Sequence, residues 1–174
     1  MEKGLIIYQS KYGAAKKYAQ WLAETTHFDI IQKPKKSIDT SPYHTIILCG
    51  GIYASGIAGI SYFKKNVHTL TGKKTAIFCV GASPYDANAL SQIKAHNLKG
   101  ELQHIPLFYG RGAWDEKSMT STDRLLCKLL QKSIEKKDPS TYEPWMKALM
   151  SASGQKCDWT DREYLKPLLE YINS

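Results

Sequence analysis

The chain has 174 residues, a formal net charge of +8, 43% hydrophobic and 23% charged residues, 12 Gly and 7 Pro. That length suits one domain over residues 1–174, able to bury about two-thirds of its unfolded surface. The balance excludes wholesale disorder and collagen-like or low-complexity chain, and no apolar run approaches the roughly 20 residues of a membrane-spanning helix.

The opening MEKGLIIYQSKYG has too short an apolar run for an export signal and lacks a small-residue cleavage site. Within it Leu5 to Tyr8 reads as a strand. A Gly-containing turn follows, then AAKKYAQWLAETT, where Ala15, Tyr18, Ala19 and Leu22 share one helix face. Phe28 to Ile31 is a weaker strand, and Thr45 to Cys49 a buried one stopped by Gly50-Gly51. Ile60 to Leu70 reads as one helix with Tyr62, Phe63, Val67 and Leu70 inward. Thr75 to Val80 is another buried strand, and Ala87 to Ala95 a helix. Glu101 to Tyr109 reads as a strand whose Pro places it at an edge or bulge. Gly110 to Ser121 reads as an irregular surface loop, Ser121 to Lys136 as a helix and Trp145 to Ser151 as a short one. A last helix is expected from Asp161 to Ile172, with Thr160 and Glu163 at capping-box spacing.

Near-continuous apolar strands alternating with amphipathic helices predict an α/β fold with a mostly parallel sheet covered on both faces. In such sheets ligands bind beyond the carboxyl ends of the strands. Three loops there are unusual. Ser10-Lys11-Tyr12-Gly13-Ala14-Ala15 feeds a helix N-terminus, whose free N–H groups and dipole favour an anion such as phosphate. It matches neither the nucleoside-triphosphatase P-loop nor the dinucleotide fingerprint. Gly50 to Gly56 sets tandem Gly beside Tyr53, and Gly81 to Asn88 again pairs Gly with hydroxyl residues and an aromatic, Tyr85. Each alone reads as a simple turn; together on one sheet edge they suit a flat aromatic phosphate. Trp114 and Arg111 are candidates to cover such a ligand or meet an anionic one, while Trp21, Trp145 and Trp159 read as packing residues.

The four cysteines, Cys49, Cys79, Cys127 and Cys157, are far apart with no C-x-x-C. They read as reduced thiols of a cytoplasmic protein. The five histidines are dispersed, so no metal site is expected, and no G-x-S-x-G marks a hydrolase. The lysines that dominate the charge are spread along the chain, which reads first as solvated surface. Attraction to an anionic membrane or an acidic partner is the sharper alternative; nucleic acid has no supporting motif.

With these residues in view, the sequence resembles the flavodoxin-like FMN-binding proteins. SKYGAA after LIIYQ, the continuation KKYAQWLAE, and the later GGIYASGI and VGASPYDA carry the resemblance over about residues 3–110 and again in the C-terminal helix. It implies a three-layer α/β/α sandwich with a five-stranded parallel sheet in the order 2-1-3-4-5, with FMN as cofactor. By position, Ser10, Lys11, Tyr12, Gly13, Ala14 and Ala15 would surround the FMN phosphate. Gly51, Ile52, Tyr53 and Ala54 would run along one side of the ring, and Gly81, Ala82, Ser83 and Tyr85 would approach its other edge. The resemblance further implies electron transfer or oxidoreduction through the flavin, with a redox partner protein or a small-molecule donor or acceptor such as a quinone. Two departures stand out. The family's phosphate loop usually ends in Thr, and Ala15 here lacks a hydroxyl donor worth about 1 kcal/mol. Electron-carrier flavodoxins are acidic, whereas this chain is basic and would be repelled by their basic partners. Basicity and the C-terminal segment WMKALMSASGQKCDWTDREYLKPLLEYI are partly similar to the menaquinone-dependent, flavodoxin-like protoporphyrinogen IX dehydrogenases. In those the insertion near the last strand is longer than Arg111 to Ser121 here. A binding module that kept the fold and lost the flavin is the remaining alternative.

Overall fold

A computed structural model describes residues 3–174; Met1 and Glu2, and the part of the N-terminal reading that falls on them, lie outside it. Strands β1 (Gly4–Gln9), β2 (Asp29–Gln32), β3 (Thr45–Tyr53), β5 (Lys74–Gly81) and β6 (Leu107–Arg111) pair in parallel in the order β2-β1-β3-β5-β6. Setting aside β4 (Gly56–Ile57), a two-residue strand that folds back antiparallel on the end of β3, this is the expected 2-1-3-4-5 order.

Alternation along each strand splits the core. Leu5, Ile7, Ile46, Leu48, Ile77 and Cys79 face α2 (Ile60–Lys65) and α3 (Ala87–Asn97). Ile6, Ile47, Cys49, Ala76, Phe78 and Val80 face α1 (Ala14–Thr26) and the C-terminal helix, where Tyr18, Leu22, Leu165 and Leu168 are buried. The inner strands are therefore apolar at consecutive positions, because both faces are covered. Each fully buried large side chain contributes roughly 1.5–3 kcal/mol.

Several elements differ from expectation. The helix expected over Ile60–Leu70 breaks at Asn66 into α2 and a 3₁₀ turn, Val67–Thr69. Asn66 bonds its amide back to the Tyr62 carbonyl, competing with the helical ladder. The strand expected from Glu101 begins only at Leu107. Gly100–Leu102 is a 3₁₀ turn, and Leu102 and Ile105 turn into the core. Pro106 donates no hydrogen bond, but its carbonyl accepts the Ile77 N–H at 3.0 Å where β6 joins the sheet edge. The C-terminal helix is capped by Asp161 accepting the Glu163 N–H at 2.9 Å, not by Thr160, whose hydroxyl donates to Asp158 at 2.6 Å. It opens as a 3₁₀ turn, Arg162–Leu165, and becomes α-helical as α6 (Lys166–Asn173), with Pro167 in its first turn.

The largest difference lies between β6 and the C-terminal helix. The expected irregular loop contains β7 (Ala113–Asp115) and a 3₁₀ turn, Glu116–Ser118. β7 pairs antiparallel with β8 (Lys156–Asp158), which sequence patterning did not reveal. Between β7 and β8 stand α4 (Ser121–Glu135) and α5 (Pro144–Ala152). The segment between the last sheet strand and the final helix is thus a folded insertion: its two helices fall where expected, and the β7–β8 ribbon replaces the irregular loop expected over Gly110 to Ser121. Its feet are pinned: the Trp159 N–H donates to the Gly112 carbonyl at 3.0 Å, and the Gly112 N–H donates to that of Gly81 at 2.7 Å. Gly112 is buried where a Cβ would come within 2.9 Å of Val80, so the insertion can leave the sheet only through a residue without a side chain.

Candidate functional site

The carboxyl ends of β1, β3 and β5 open into a cavity of about 430 Å³. That is within the range of pockets for small ligands and cofactors. Its floor is made by the three loops singled out above. Ser10, Tyr12, Ala14 and Ala15 line it from the first, Gly51, Ile52, Tyr53 and Ala54 from the second, and Gly81, Ala82 and Ser83 from the third. Lys11 and Gly13 are exposed and outside the lining, and their N–H groups brace the first loop on the Tyr53 and Ser10 hydroxyls. Tyr85 is not in the wall: it is largely exposed and packs obliquely on Tyr109 at 6.3 Å.

The first loop is built to present N–H groups. The Ser10 hydroxyl accepts the Gly13 N–H at 2.9 Å, closing the turn. Gly13, at φ 99°, takes a left-handed conformation that a side chain would strain. The first helical bond of α1 runs from the Lys17 N–H to the Gly13 carbonyl. The N–H groups of Ala14, Ala15 and Lys16 precede it, and no side chain caps them. No acidic residue occupies that first turn. The donor set is backbone, aimed outward at a helix N-terminus.

The second loop is less a loop than expected. β3 continues to Tyr53 and turns on Ala54 and Ser55, both at positive φ (46° and 65°). This two-residue hairpin turn is unusual for residues with a Cβ and costs about 1–3 kcal/mol per position. The turn fixes Tyr53. Its ring lies back over Gly51, stands edge-on to Tyr12 at 6.3 Å, and its hydroxyl accepts the Lys11 N–H at 3.0 Å. Burial raises its pKa. The third loop is held from β6: the Tyr109 hydroxyl donates to the Ser83 carbonyl, and the Arg111 Nε–H to the Ala82 carbonyl at 3.0 Å. Burial pushes the Tyr109 hydroxyl well above its ordinary pKa. Arg111 is not free to meet a ligand, since its guanidinium also stacks 4.0 Å from the Trp159 ring.

The roof of the cavity comes from the insertion. Gly112, Ala113 and Trp114 form one side; Met119, Leu126, Cys127 and Leu130 come from in and before α4. Trp145, read as a packing residue, lines the cavity with Ala148, Leu149 and Ala152 of α5. None of the roof except Trp114 was marked in the sequence. The signal was the leucine spacing in DRLLCKLL, legible as a helix but not as a wall. The Trp114 indole N–H is buried without a partner, an unmet donor beside the cavity. Among the described residues no group of three or more His, Cys, Asp or Glu is placed to hold a metal ion.

A site of uncapped helix N–H groups at one end, an apolar slot, and a parallel sheet with helices on both faces defines a flavodoxin-type nucleotide fold. The family model for the flavodoxin domain matches residues 5–141, and the chain belongs to that family. The cofactor of the family is FMN. No curated protein matches the chain. Among solved structures, it is similar to the Trp repressor binding protein from Bacillus subtilis: 16% identity, 64% of this chain and 84% of that one, TM-score 0.47. It is also similar to a flavoprotein in complex with FMN from Lactobacillus acidophilus: 14% identity, 64% of this chain and 93% of that one, TM-score 0.45.

The donor set fits a phosphorylated flavin on observations of this chain. Backbone N–H groups suit the phosphate, the slot between Ile52 and the insertion suits a flat apolar ring, and the orphaned Trp114 N–H suits a polar ring edge.

Proposed function

We propose that this chain, working as one domain, binds FMN in the cavity and carries out electron transfer or oxidoreduction through it. The observation that carries the reading is the meeting of the three loops around one cavity, with the uncapped start of α1 at its wall. The Ser10 hydroxyl and the N–H groups of Ala14 and Ala15 would hold the phosphate, on the turn that Gly13 closes. Gly51 to Ala54 and Gly81 to Ser83 would flank the ring, Tyr53 offering its aromatic face. Bound there, FMN would supply redox chemistry that no side chain of the site offers. The chain's own contribution is to orient the ring, exclude water with Leu126, Leu130, Trp145 and Leu149, and leave a face open to a donor or acceptor. The test is an absorbance spectrum of the purified protein followed by titration with FMN and riboflavin. FMN binding with visible flavin absorbance, and weaker riboflavin binding, is expected. Absence of binding at millimolar FMN would overturn the reading and leave a flavodoxin-fold binding module.

One observation favours a second reading, a menaquinone-linked protoporphyrinogen IX dehydrogenase-type enzyme. The folded insertion supplies an apolar roof that a bare electron carrier does not need, and such a roof suits an apolar second reactant such as a quinone. Turnover of quinones and of protoporphyrinogen by the FMN-loaded protein separates the two readings. The same roof bears on partners. Leu125 and Leu129 of α4, which do not line the cavity, stand 58% and 55% exposed. Lys128 and Lys132 of the same helix, and Lys136 just past its end, are exposed. Leucines flanked by lysines suit peripheral contact of a cytoplasmic protein with an anionic membrane. No helix among the described residues is long and apolar enough to cross one.

A further inference from the structure

Besides its backbone N–H groups and the Ser10 hydroxyl, the phosphate loop carries two further side-chain donors, the Lys11 ammonium and the Tyr12 hydroxyl. Both are engaged by one carboxylate. Lys11 Nζ and the Tyr12 hydroxyl each donate to Oδ2 of Asp123, a residue of α4 more than a hundred positions away in sequence. Asp123 also lines the cavity together with Ser10, Tyr12, Ala14 and Ala15. The contact is reinforced around it. The Thr120 N–H donates to the Tyr12 hydroxyl at 3.4 Å, and the Thr120 hydroxyl caps α4 by accepting the Asp123 N–H at 3.2 Å. The Arg124 guanidinium meanwhile holds the carbonyls of Glu116, Lys117 and Met119, which ties the start of α4 to the turn that precedes it. An acidic residue in a first helical turn already gains from the helix dipole. The side chain nevertheless reaches across to the loop, where it sets a negative charge beside the uncapped start of α1.

We propose that Asp123 is a built-in anionic competitor for the phosphate, and so the residue that sets how far this site prefers FMN over riboflavin. The inference rests on the flavin reading above. A phosphate arriving at the start of α1 meets a carboxylate that already holds Lys11 and Tyr12. It is taken up fully only when Asp123 lets go, which frees the first turn of α4 from the loop. A dianion roughly 6 Å from a carboxylate under water-like screening is disfavoured by a factor of about ten. Riboflavin carries no phosphate and meets none of this repulsion.

The experiment compares FMN and riboflavin dissociation constants for the wild type and Asp123→Asn at low salt. The expected result is FMN binding about tenfold tighter in the variant, with riboflavin changed less than about twofold. The gain should shrink as salt is added. A purely structural role for Asp123 would shift both ligands alike. Equal shifts, or no change in FMN affinity, overturn the proposal and leave the FMN reading standing. Binding of neither flavin to either protein removes the flavin reading and the proposal with it. Amide exchange in the wild type gives a measurement independent of the variant's folding. The first turn of α4 should exchange faster with FMN bound than with riboflavin bound, and equal exchange counts against the competitor role.

Discussion

Tyr18 ties both feet of the insertion to the sheet, which makes Tyr18→Phe a direct test of how the roof is held. The ring is fully buried between the sheet and the C-terminal helix. Its hydroxyl donates to the Arg111 carbonyl at 2.6 Å, where the chain leaves β6, and accepts the Asp161 N–H at 3.1 Å, where it returns. Burial pushes its pKa up to about 12, so it stays protonated and donating across the working range. Phe fills the same space and removes only the oxygen, leaving one carbonyl and one N–H short of a partner. At about 1–3 kcal/mol for each buried group left unsatisfied, and with both groups partly buried, the expected loss is about 2–3 kcal/mol. Against a typical total of roughly 5–15 kcal/mol this is easily read from urea unfolding as a lower midpoint at unchanged slope. Tyr171→Phe is the control. Its hydroxyl donates a single bond, to the Thr75 carbonyl at 3.1 Å, so about 1 kcal/mol is expected. A loss below about 0.5 kcal/mol for Tyr18→Phe, or one no larger than for Tyr171→Phe, would refute the clamp. Amide exchange in β7 and β8 should also quicken in Tyr18→Phe and not in the control.

Two further outcomes follow from surface charge. Asp158 at the return foot has its pKa lowered to about 2, mainly by the Thr160 hydroxyl donating to it and also by Lys17 at 2.9 Å. A carboxyl depressed on folding stabilises above its unfolded pKa of 3.8 and loses that contribution as pH falls toward 2. Stability should therefore decline between about pH 4 and pH 2, and Asp158→Asn should flatten that decline; an unchanged acid limb would show that other carboxyls carry it. The side chain is 58% exposed, so the effect at neutral pH should be small. For the leucine face of α4, the protein should bind anionic vesicles, less so with added salt, and Leu125→Ser/Leu129→Ser should weaken binding by at least about tenfold. Equal binding to neutral and anionic vesicles, or none to either, would sink the membrane contact.

The sheet was legible because its signal is local. Consecutive apolar residues such as Ile46, Ile47 and Leu48 have no exposed face to occupy, and glycines mark where β3 and β5 reach the cavity. The loops that line the floor sit in register with those strand ends, so their composition could be read in place. Tyr85 stands outside the cavity wall for a physical reason. It follows Pro84 where the chain turns outward toward the Asp86 cap of α3, and its partner is Tyr109 of the edge strand. The β7–β8 ribbon was illegible because each strand is three residues long and its pairing joins positions far apart in sequence. Too few residues show alternation, and Ala113, Trp114 and Cys157 carry no strand-specific pattern.

The insertion also explains why α4 has so few buried residues for a helix of its length. Only Gln131 and Ile134 are buried, against four on α1. A helix with that little core contact gains most of its hold from what it touches at its ends. At its start those contacts are Thr120, Asp123 and Arg124 against the phosphate loop and the Glu116–Met119 carbonyls. Near its end the Tyr142 hydroxyl donates to the Ile134 carbonyl at 3.0 Å. Local stability follows buried contacts, so the start of α4 should be the part of the roof that opens at least cost. That start is also where the roof meets the anion end of the cavity. On the competitor proposal for Asp123, a ligand bearing a phosphate would act on that seam of the roof, while a ligand without one would leave it shut.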